Sequence, residues 1–316
     1  AVFYSVIKFV ANMGVMLIPL LRRMLMEDAS QWRKIYLIPA IVGLITSFIA
    51  IMFARETDAF IDSRLKHLRK SEEELIQEKL EKKTNDAQGG LIPAFKFAMK
   101  HKQLRWLFIT ATLANFGFIG SINYQVIMSY GYAESMYNSF TEEIMDLVSV
   151  GPVTTALFLF PVGCSLAQVI MGFISDSKGR KTAALVTAFD CLVCFVGFWL
   201  GAKYNWSPAI VGLLCGGFVG SFYSTNDVLI MMIGESSPTN LRSSTMSAEF
   251  LPVGMGVGLS YMISLPLAAI LGNQYMGIIS ICLLVPGFIA ALITLAKKTH
   301  DTRGIDLDTV TGLEWD

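Results

Sequence analysis

Long apolar stretches dominate the sequence and restrict what the chain can fold into. Each holds roughly 20 mostly apolar residues, the length that an α-helix needs to cross a hydrocarbon core about 30 Å thick. Helices and closed barrels satisfy every backbone hydrogen bond in lipid, and strand-type alternation does not recur along the chain. The sequence therefore predicts an all-α, polytopic membrane protein with eight transmembrane helices. The predicted spans are residues 2–21, 35–54, 106–128, 153–174, 182–202, 208–233, 246–271 and 275–296.

The composition agrees with this prediction and excludes several functions. Charged residues make up 16% of the chain and hydrophobic residues 53%, whereas a soluble domain carries about a quarter charged residues. The formal net charge is zero, so the charge balance does not indicate a nucleic-acid partner. We expect no enzyme activity, metal or cofactor, because the sequence contains no His/Cys metal cluster, nucleophile elbow or phosphate-binding loop.

The distribution of Lys and Arg predicts the orientation of the chain. Basic residues concentrate between Arg55 and Arg105, whereas the connection from Glu134 to Asp146 has none. Because cytoplasmic loops hold Lys and Arg in excess, we expect the basic connection and both termini in the cytoplasm, although the basic loop at residues 22–34 opposes this placement. The domain plan is then two spans in residues 1–56, a cytoplasmic connection in 57–103, a six-helix bundle in 104–297 and a cytoplasmic tail in 298–316.

The loop between the fourth and fifth predicted spans carries a compact charged motif. Its pattern is Gly172-x-x-x-Asp176-x-x-Gly179-Arg180-Lys181. Gly172 permits close helix contact, Gly179 lets the chain turn, and Asp176 can pair with a cation or with the positive end of a helix. The motif resembles the cytoplasmic signature of the major facilitator superfamily, Gly-x-x-x-Asp-x-x-Gly-Arg-Lys/Arg, and every position of that signature matches.

Further segments resemble signatures of the sugar-porter-like and metabolite-symporter members of that superfamily. Residues 235–242 read Glu-Ser-Ser-Pro-Thr-Asn-Leu-Arg, residues 301–308 read Asp-Thr-Arg-Gly-Ile-Asp-Leu-Asp, and residues 55–57 read Arg-Glu-Thr. They are similar to the sequences that follow helices ten, twelve and six of the family. The resemblance implies that the spans are helices five to twelve of a twelve-helix fold, the last two of the N-terminal bundle and all six of the C-terminal bundle. Helices one to four would be needed to complete it.

The resemblance also implies a role for the charges in these motifs. In the family they form a network at the cytoplasmic ends of the helices, which closes the inner gate while the central cavity faces outwards. The alternative is that they are solvated loop residues that follow the positive-inside rule. Glu249, near the cytoplasmic end of its span, is also expected at the gate. The network implied by the resemblance comprises Gly172, Asp176, Gly179, Arg180, Lys181, Glu235, Arg242, Asp301 and Glu56.

Ionisable residues inside apolar spans are expensive and therefore indicate function. Asp227 and Asp190 lie within predicted spans, and either could bind a coupling proton. The alternative is a carboxyl group that hydrogen-bonds a neighbouring polar or backbone group. Lys8, in the first span, could be a counter-charge for the substrate or could extend its amine towards the membrane surface.

Polar side chains within the spans are candidates for binding a solute. Residues 120–123, Gly-Ser-Ile-Asn, are loosely similar to the Ser-Gly-Ile-Asn of sugar porters, but the paired glutamines that precede that motif are missing. Hydrogen bonding between helices is the alternative for all these residues. The substrate-binding candidates are Asn115, Asn123, Tyr124, Gln125, Gln168 and Asn226.

Small residues at a spacing of four predict close helix packing at two places. Gly212, Gly216 and Gly220 form one such stripe, and Gly254 and Gly258 form the other.

These observations predict an integral protein of the plasma or cytoplasmic membrane that transports a small organic solute. The solute could be a sugar, a carboxylate or another metabolite, and the membrane carboxyl groups favour proton-coupled symport by alternating access. The expected partners are thus the solute, H⁺ and the lipid bilayer, with no nucleic acid. The alternative function is a transporter-like receptor or sensor that binds a solute without net flux.

Overall fold

A computed structural model describes residues 7–9, 11–12, 14, 32–53, 90–239, 241–305 and 310. Most of the first predicted span, most of the 57–103 connection and Glu56 lie outside the described residues. The chain divides into two compact units, one formed by Ala1–Leu17 with Leu91–Asp316 and the other by Ile18–Gly90. The domain plan drawn from the sequence stays a prediction.

Most of the described residues are helical and none forms a strand, which confirms the predicted all-α class. In the second unit, helix α1 spans Trp32–Phe53, and its segment Pro39–Phe53 is apolar. In the first unit, a short helix precedes a series of longer ones. These helices are α2 (Leu91–Lys100), α3 (Lys102–Ile122), α4 (Tyr124–Tyr137), α5 (Glu142–Lys178), α6 (Arg180–Lys203), α7 (Pro208–Glu235), α8 (Arg242–Leu271) and α9 (Asn273–Lys298).

Helices α5 to α9 are each long and apolar enough to cross a membrane, and they contain the last five predicted spans. The predicted span 106–128 is instead a bent pair, because α3 and α4 meet at an angle of 53°. The bend follows a 3₁₀ turn at Asn115–Gly117 and lies at Asn123, whose side-chain amide donates to the Ile119 carbonyl at 3.0 Å. Counting the pair as one span gives six candidate spans in the described part of the chain.

Helix α7 is the most buried of the candidate spans among the described residues. The predicted glycine stripe on α7 explains how closely it approaches α5. A Cβ atom at Gly212, Gly216 or Gly220 would meet the main chain of α5 at Ala156, Phe160 or Cys164. Only glycine lets the two backbones lie this close, so the predicted packing of this stripe is confirmed.

Helix α8 buries a different small-residue stripe from the one predicted. Its buried side chains include Gly256, Ser260, Ser264 and Ala268, again at a spacing of four. At Gly254 and Gly258 the described residues place no atom within 4 Å of an added Cβ. Bulky apolar side chains such as Met262 and Ile270 are exposed on this helix, as expected for a surface that faces lipid.

Two hydrophobic clusters fill the bundle, and a layer of polar side chains lies between them. One cluster includes Phe195, Phe218 and Phe222, and the other includes Phe108 and Leu229. On α5, α6 and α7, polar residues occupy the positions between members of the two clusters, and Asn115 of α3 is hydrogen-bonded to Asn226 of α7. We call this set the polar layer, and it comprises Asn115, Gln168, Thr187, Thr225, Asn226 and Asp227.

Candidate functional site

The turn between α5 and α6 places charged side chains at the meeting point of several helix ends. Gly179 joins the two helices with φ +105°, a backbone conformation that L-residues with a side chain rarely adopt. A Cβ atom there would also overlap the carboxylate of Asp301. The glycine in the motif is therefore required both by the turn and by the close approach of Asp301.

Arg180 joins the ends of three helices through its guanidinium group. Its Nη1 donates to Asp176 Oδ1 at 2.8 Å, and its Nε donates to Glu235 Oε1 at 3.1 Å. The same Nη1 also donates to the carbonyl and hydroxyl oxygens of Ser175 at 3.1 and 3.0 Å. Asp176 lies in the last turn of α5 and Glu235 is the last residue of α7, so a single cation at the start of α6 binds both neighbouring helices.

Asp301 enters the same site through the backbone of α6. Its Oδ1 accepts the main-chain N–H groups of Arg180 at 2.8 Å and Lys181 at 3.2 Å. The first N–H groups of a helix have no partner within the helix, and the helix dipole favours an anion at that end. Asp301 therefore caps α6 from a distant part of the sequence.

Cations at the other helix ends complete the arrangement. Lys181 Nζ donates to the carbonyls of Ala296 at 2.8 Å and Thr299 at 2.7 Å, at the end of α9. Arg303 Nη1 donates to the carbonyls of Asp176 and Ser177, at the end of α5. Each cation meets the negative end of a helix dipole. We call Asp176, Arg180, Lys181, Glu235 and Asp301 the helix-end cluster.

The remaining predicted gate residues lie near this cluster or outside the described chain. Arg242 Nε donates to the Gly234 carbonyl at 3.0 Å, which ties the start of α8 to the end of α7. Gly172 is buried on α5. Glu249 is 3% exposed and lies near enough to Asp227 to interact with it electrostatically. Glu56 is not among the described residues.

The two membrane carboxyl groups have different surroundings. Asp227 Oδ2 lies 2.5 Å from Lys8 Nζ, and the two side chains are 22% and 27% exposed. Asp190 Oδ2 accepts a hydrogen bond from the Ser221 hydroxyl at 2.5 Å, and its Oδ1 accepts one from the Cys194 thiol at 3.5 Å. Asp190 thus corresponds to the predicted alternative of a carboxyl group held by neighbouring polar groups, whereas Asp227 is bound to a cation.

The substrate-binding candidates separate into two groups. In the polar layer, Asn115 Nδ2 donates to Asn226 Oδ1 at 2.8 Å, and Gln168 Oε1 accepts from Asn12 Nδ2 at 2.8 Å. The other group lies at the bend between α3 and α4. There Tyr124 stacks on Phe160 at a centroid distance of 4.8 Å, while Asn123 is half-buried and Gln125 is exposed.

Sequence reasoning missed the pairing of Lys8 with Asp227 and the contact of Asn12 with Gln168. One signal was present, because Lys8 and Asn12 are four residues apart in an apolar run and so occupy one helix face. It also missed Thr302, whose hydroxyl donates to Glu235 Oε2 at 2.5 Å.

Comparisons with known proteins agree with this fold and with these motifs. The chain is 28% identical over 158 residues to solute carrier family 2, facilitated glucose transporter member 4 of Homo sapiens, which covers 48% of this chain and 30% of the relative. It is 29% identical over 143 residues to the facilitated glucose transporter homolog of Caenorhabditis elegans (43% of this chain, 26% of the relative). It is 26% identical over 147 residues to hexose transporter HXT13 of Saccharomyces cerevisiae (46% and 24%).

The matched region spans less than a third of the length of these relatives. The family model described as Major Facilitator Superfamily matches residues 2–251, from the first predicted span into α8. The charged loop motif, the bundle of apolar helices and this match lead to one conclusion: the chain is an integral membrane protein that belongs to the Major Facilitator Superfamily.

Proposed function

We propose that this protein moves a small organic solute across the cytoplasmic membrane by alternating access, with both termini in the cytoplasm. The observation that carries the proposal is the binding of Arg180 to Asp176 and Glu235, which joins the ends of three helices. Ion pairs between helix ends can break and reform as helices move, which is the property that a gate requires. The relatives are named as glucose and hexose transporters, and this supports a transport function.

The helix-end cluster acts as the inner gate in this proposal. The side chains of Arg180 and Glu235 are only 16% and 20% exposed. For Arg180 and Glu235, this shielding argues against the alternative that they are merely solvated loop residues, whereas Asp176 is 41% exposed. Closing the cytoplasmic ends of α5, α6 and α7 around Arg180 leaves the polar layer open to the outer side, and separating them opens it to the cytoplasm.

Proton coupling is assigned to Asp227. Asp190 is held by hydroxyl and thiol donors, whereas Asp227 has a cationic partner that it can lose. A carboxylate without its counter-ion in a membrane interior is neutralised by a proton rather than left charged. Asp227 therefore binds H⁺ when it loses the Lys8 contact during the transport cycle, and it releases H⁺ when the contact forms again.

Asp227→Asn tests this assignment in proteoliposomes. We expect the variant to lose proton-driven accumulation of solute and to retain counterflow, because an amide cannot carry the proton while the alternating movement itself remains. The same measurement addresses the sensor alternative, in which a solute binds to the wild-type protein but no labelled solute enters the vesicles. Accumulation by Asp227→Asn with the pH dependence of the wild type would contradict the role of Asp227.

A further inference from the structure

The surroundings of Lys8 point to the chemical class of the solute. We propose that the solute carries a carboxylate group, which binds Lys8 Nζ in place of Asp227. This inference rests on the proposed function and deepens it, because it distinguishes among the sugar, carboxylate and other metabolite classes.

The charges of Lys8 and Asp227 compensate each other within the apolar part of the chain. Lys8 belongs to the apolar run at residues 2–21, and its Nζ lies 2.5 Å from Asp227 Oδ2. Removing either partner would leave an uncompensated charge, which is strongly unfavourable away from water. A group that enters between the two side chains must therefore replace the charge that it displaces.

The ion pair is also accessible to a solute. The side chains of Lys8 and Asp227 are 27% and 22% exposed, so neither is sealed within the packed bundle. Asp190 makes its bonds inside the bundle, between α6 and Ser221 of α7. Among these charged groups, the Lys8 amine is thus a cation in an apolar run that an anion can reach.

Amide groups next to the ion pair can bind the rest of such a solute. Asn12 lies four residues after Lys8 on the same helix face and donates to Gln168. Asn226 precedes Asp227 and accepts from Asn115. These amides can exchange their mutual hydrogen bonds for bonds to hydroxyl or amide groups of a solute. A neutral solute could hydrogen-bond the amides and the charged groups, but it could not replace the negative charge of Asp227 beside Lys8.

The exchange is balanced in charge. Before binding, Lys8 and Asp227 sum to zero. When the solute carboxylate pairs with Lys8, Asp227 binds a proton from the aqueous side to which the site is open. The charges of Lys8, the solute carboxylate and the protonated Asp227 then also sum to zero. Besides Lys8, Glu249 on α8 also interacts with Asp227 electrostatically, whereas Asp190 on α6 is bonded to Ser221. A monocarboxylate would therefore move with one proton and with no net charge.

Matched pairs of small molecules test this inference. The probes are carboxylates and neutral counterparts of similar shape: D-gluconate and D-glucose, L-lactate and propane-1,2-diol, and benzoate and benzyl alcohol. The measurement is the thermal shift of the purified protein over a concentration series of each probe. We expect at least one carboxylate to stabilise the protein while its neutral counterpart does not.

Variants at the ion pair then assign the binding to Lys8. Lys8→Gln combined with Asp227→Asn keeps the site neutral, so the double variant can fold, and it should bind the carboxylate roughly 10- to 100-fold more weakly, the loss expected for one hydrogen bond to a charged group. Asp227→Asn alone should bind it at least as tightly as the wild type, because the competing anion is gone. Lys203→Gln, at the other end of α6, is the control and should bind normally.

The outcomes separate this inference from the proposed function. Equal binding of a neutral counterpart, binding of none of the carboxylates, or wild-type affinity in the double variant would overturn the carboxylate class. Uptake of a neutral solute by protein with Lys8 and Asp227 unchanged would also overturn the carboxylate class, while it would leave the proposed transport function intact. Carboxylate binding without uptake would support the solute class and contradict the transport function.

Discussion

Glu235→Gln tests whether the helix-end cluster holds the inner gate closed. Glu235 Oε1 accepts from Arg180 Nε at 3.1 Å, and Oε2 accepts the Thr302 hydroxyl at 2.5 Å. The substitution keeps the shape of the side chain but removes its charge, so it weakens both bonds. Hydrogen bonds to charged groups contribute about 1.5–3 kcal/mol each. Because the side chain is 20% exposed and glutamine still accepts one bond, we expect the closed state to be destabilised relative to the inward-open state by about 2 kcal/mol in total.

A loss of this size would raise the ratio of inward-open to closed protein by up to roughly 30-fold, since about 1.4 kcal/mol corresponds to a factor of ten. The native Cys164 can report this change. It is 6% exposed, lies four residues before Gln168 on α5, and contacts Asn12. The assay is the initial rate at which a membrane-impermeant maleimide added on the cytoplasmic side labels Cys164. The exposed Cys282 is replaced by Ser in all samples.

Two controls make the labelling rate interpretable. Lys203→Gln breaks the 3.7 Å pair between Lys203 and Glu134 at the opposite end of α6, and it should not change the rate. Cys191 is fully buried, so its labelling would report unfolding rather than gating. A wild-type rate in Glu235→Gln, or an equal rise in Lys203→Gln, would refute the assignment of the gate to this cluster.

Two further substitutions test the packing and the helix cap through the free energy of unfolding. In Gly216→Ala the added Cβ would overlap the backbone of α5, so we expect the free energy of unfolding to fall by about 1–3 kcal/mol and Tm to fall with it. In Gly254→Ala no described atom lies within 4 Å of the added Cβ, so we expect Tm to stay the same or to rise slightly, because Ala favours a helix over Gly by about 0.5–1 kcal/mol. Equal Tm values for the two variants would contradict the close contact. Asp301→Ala removes the cap of α6, and we expect the free energy of unfolding to fall by about 1–2 kcal/mol. Faster hydrogen exchange at the first turn of α6 would locate the effect at the cap. Unchanged exchange there would show that the cap contributes nothing.

The positions of the last five predicted spans could be predicted because they depend on local properties of the sequence. Apolar length and the charges at each end determine where a helix can cross the bilayer. The predicted span 182–202 accordingly lies within Arg180–Lys203, a helix that begins and ends at a basic residue. The turn at Gly179 was predictable for the same reason, since its motif is contiguous in the sequence.

Contacts between distant spans could not be predicted in this way. Lys8 and Asp227 are 219 residues apart, and no local pattern indicates that they meet. The glycines of α8 show a related difficulty. Its sequence contains two interleaved stripes of small residues, one through Gly254 and Gly258 and one through Gly256 and Ser260, each at a spacing of four. Spacing alone cannot tell which stripe faces the bundle, and the structure buries the second.

The helix-end cluster contains bonds to main-chain groups as well as ion pairs, and both kinds of bond would have to break when the proposed gate opens. Arg180 pairs with carboxylates, but Asp301 and Lys181 bind the main-chain groups at the ends of α6 and α9. These groups have no partner within their helices, so moving α9 away from α6 exposes unsatisfied N–H and C=O groups as well as charges. In the proposed gate, opening therefore breaks these helix-end bonds together with the ion pairs of Arg180, as expected of a switch between two conformations.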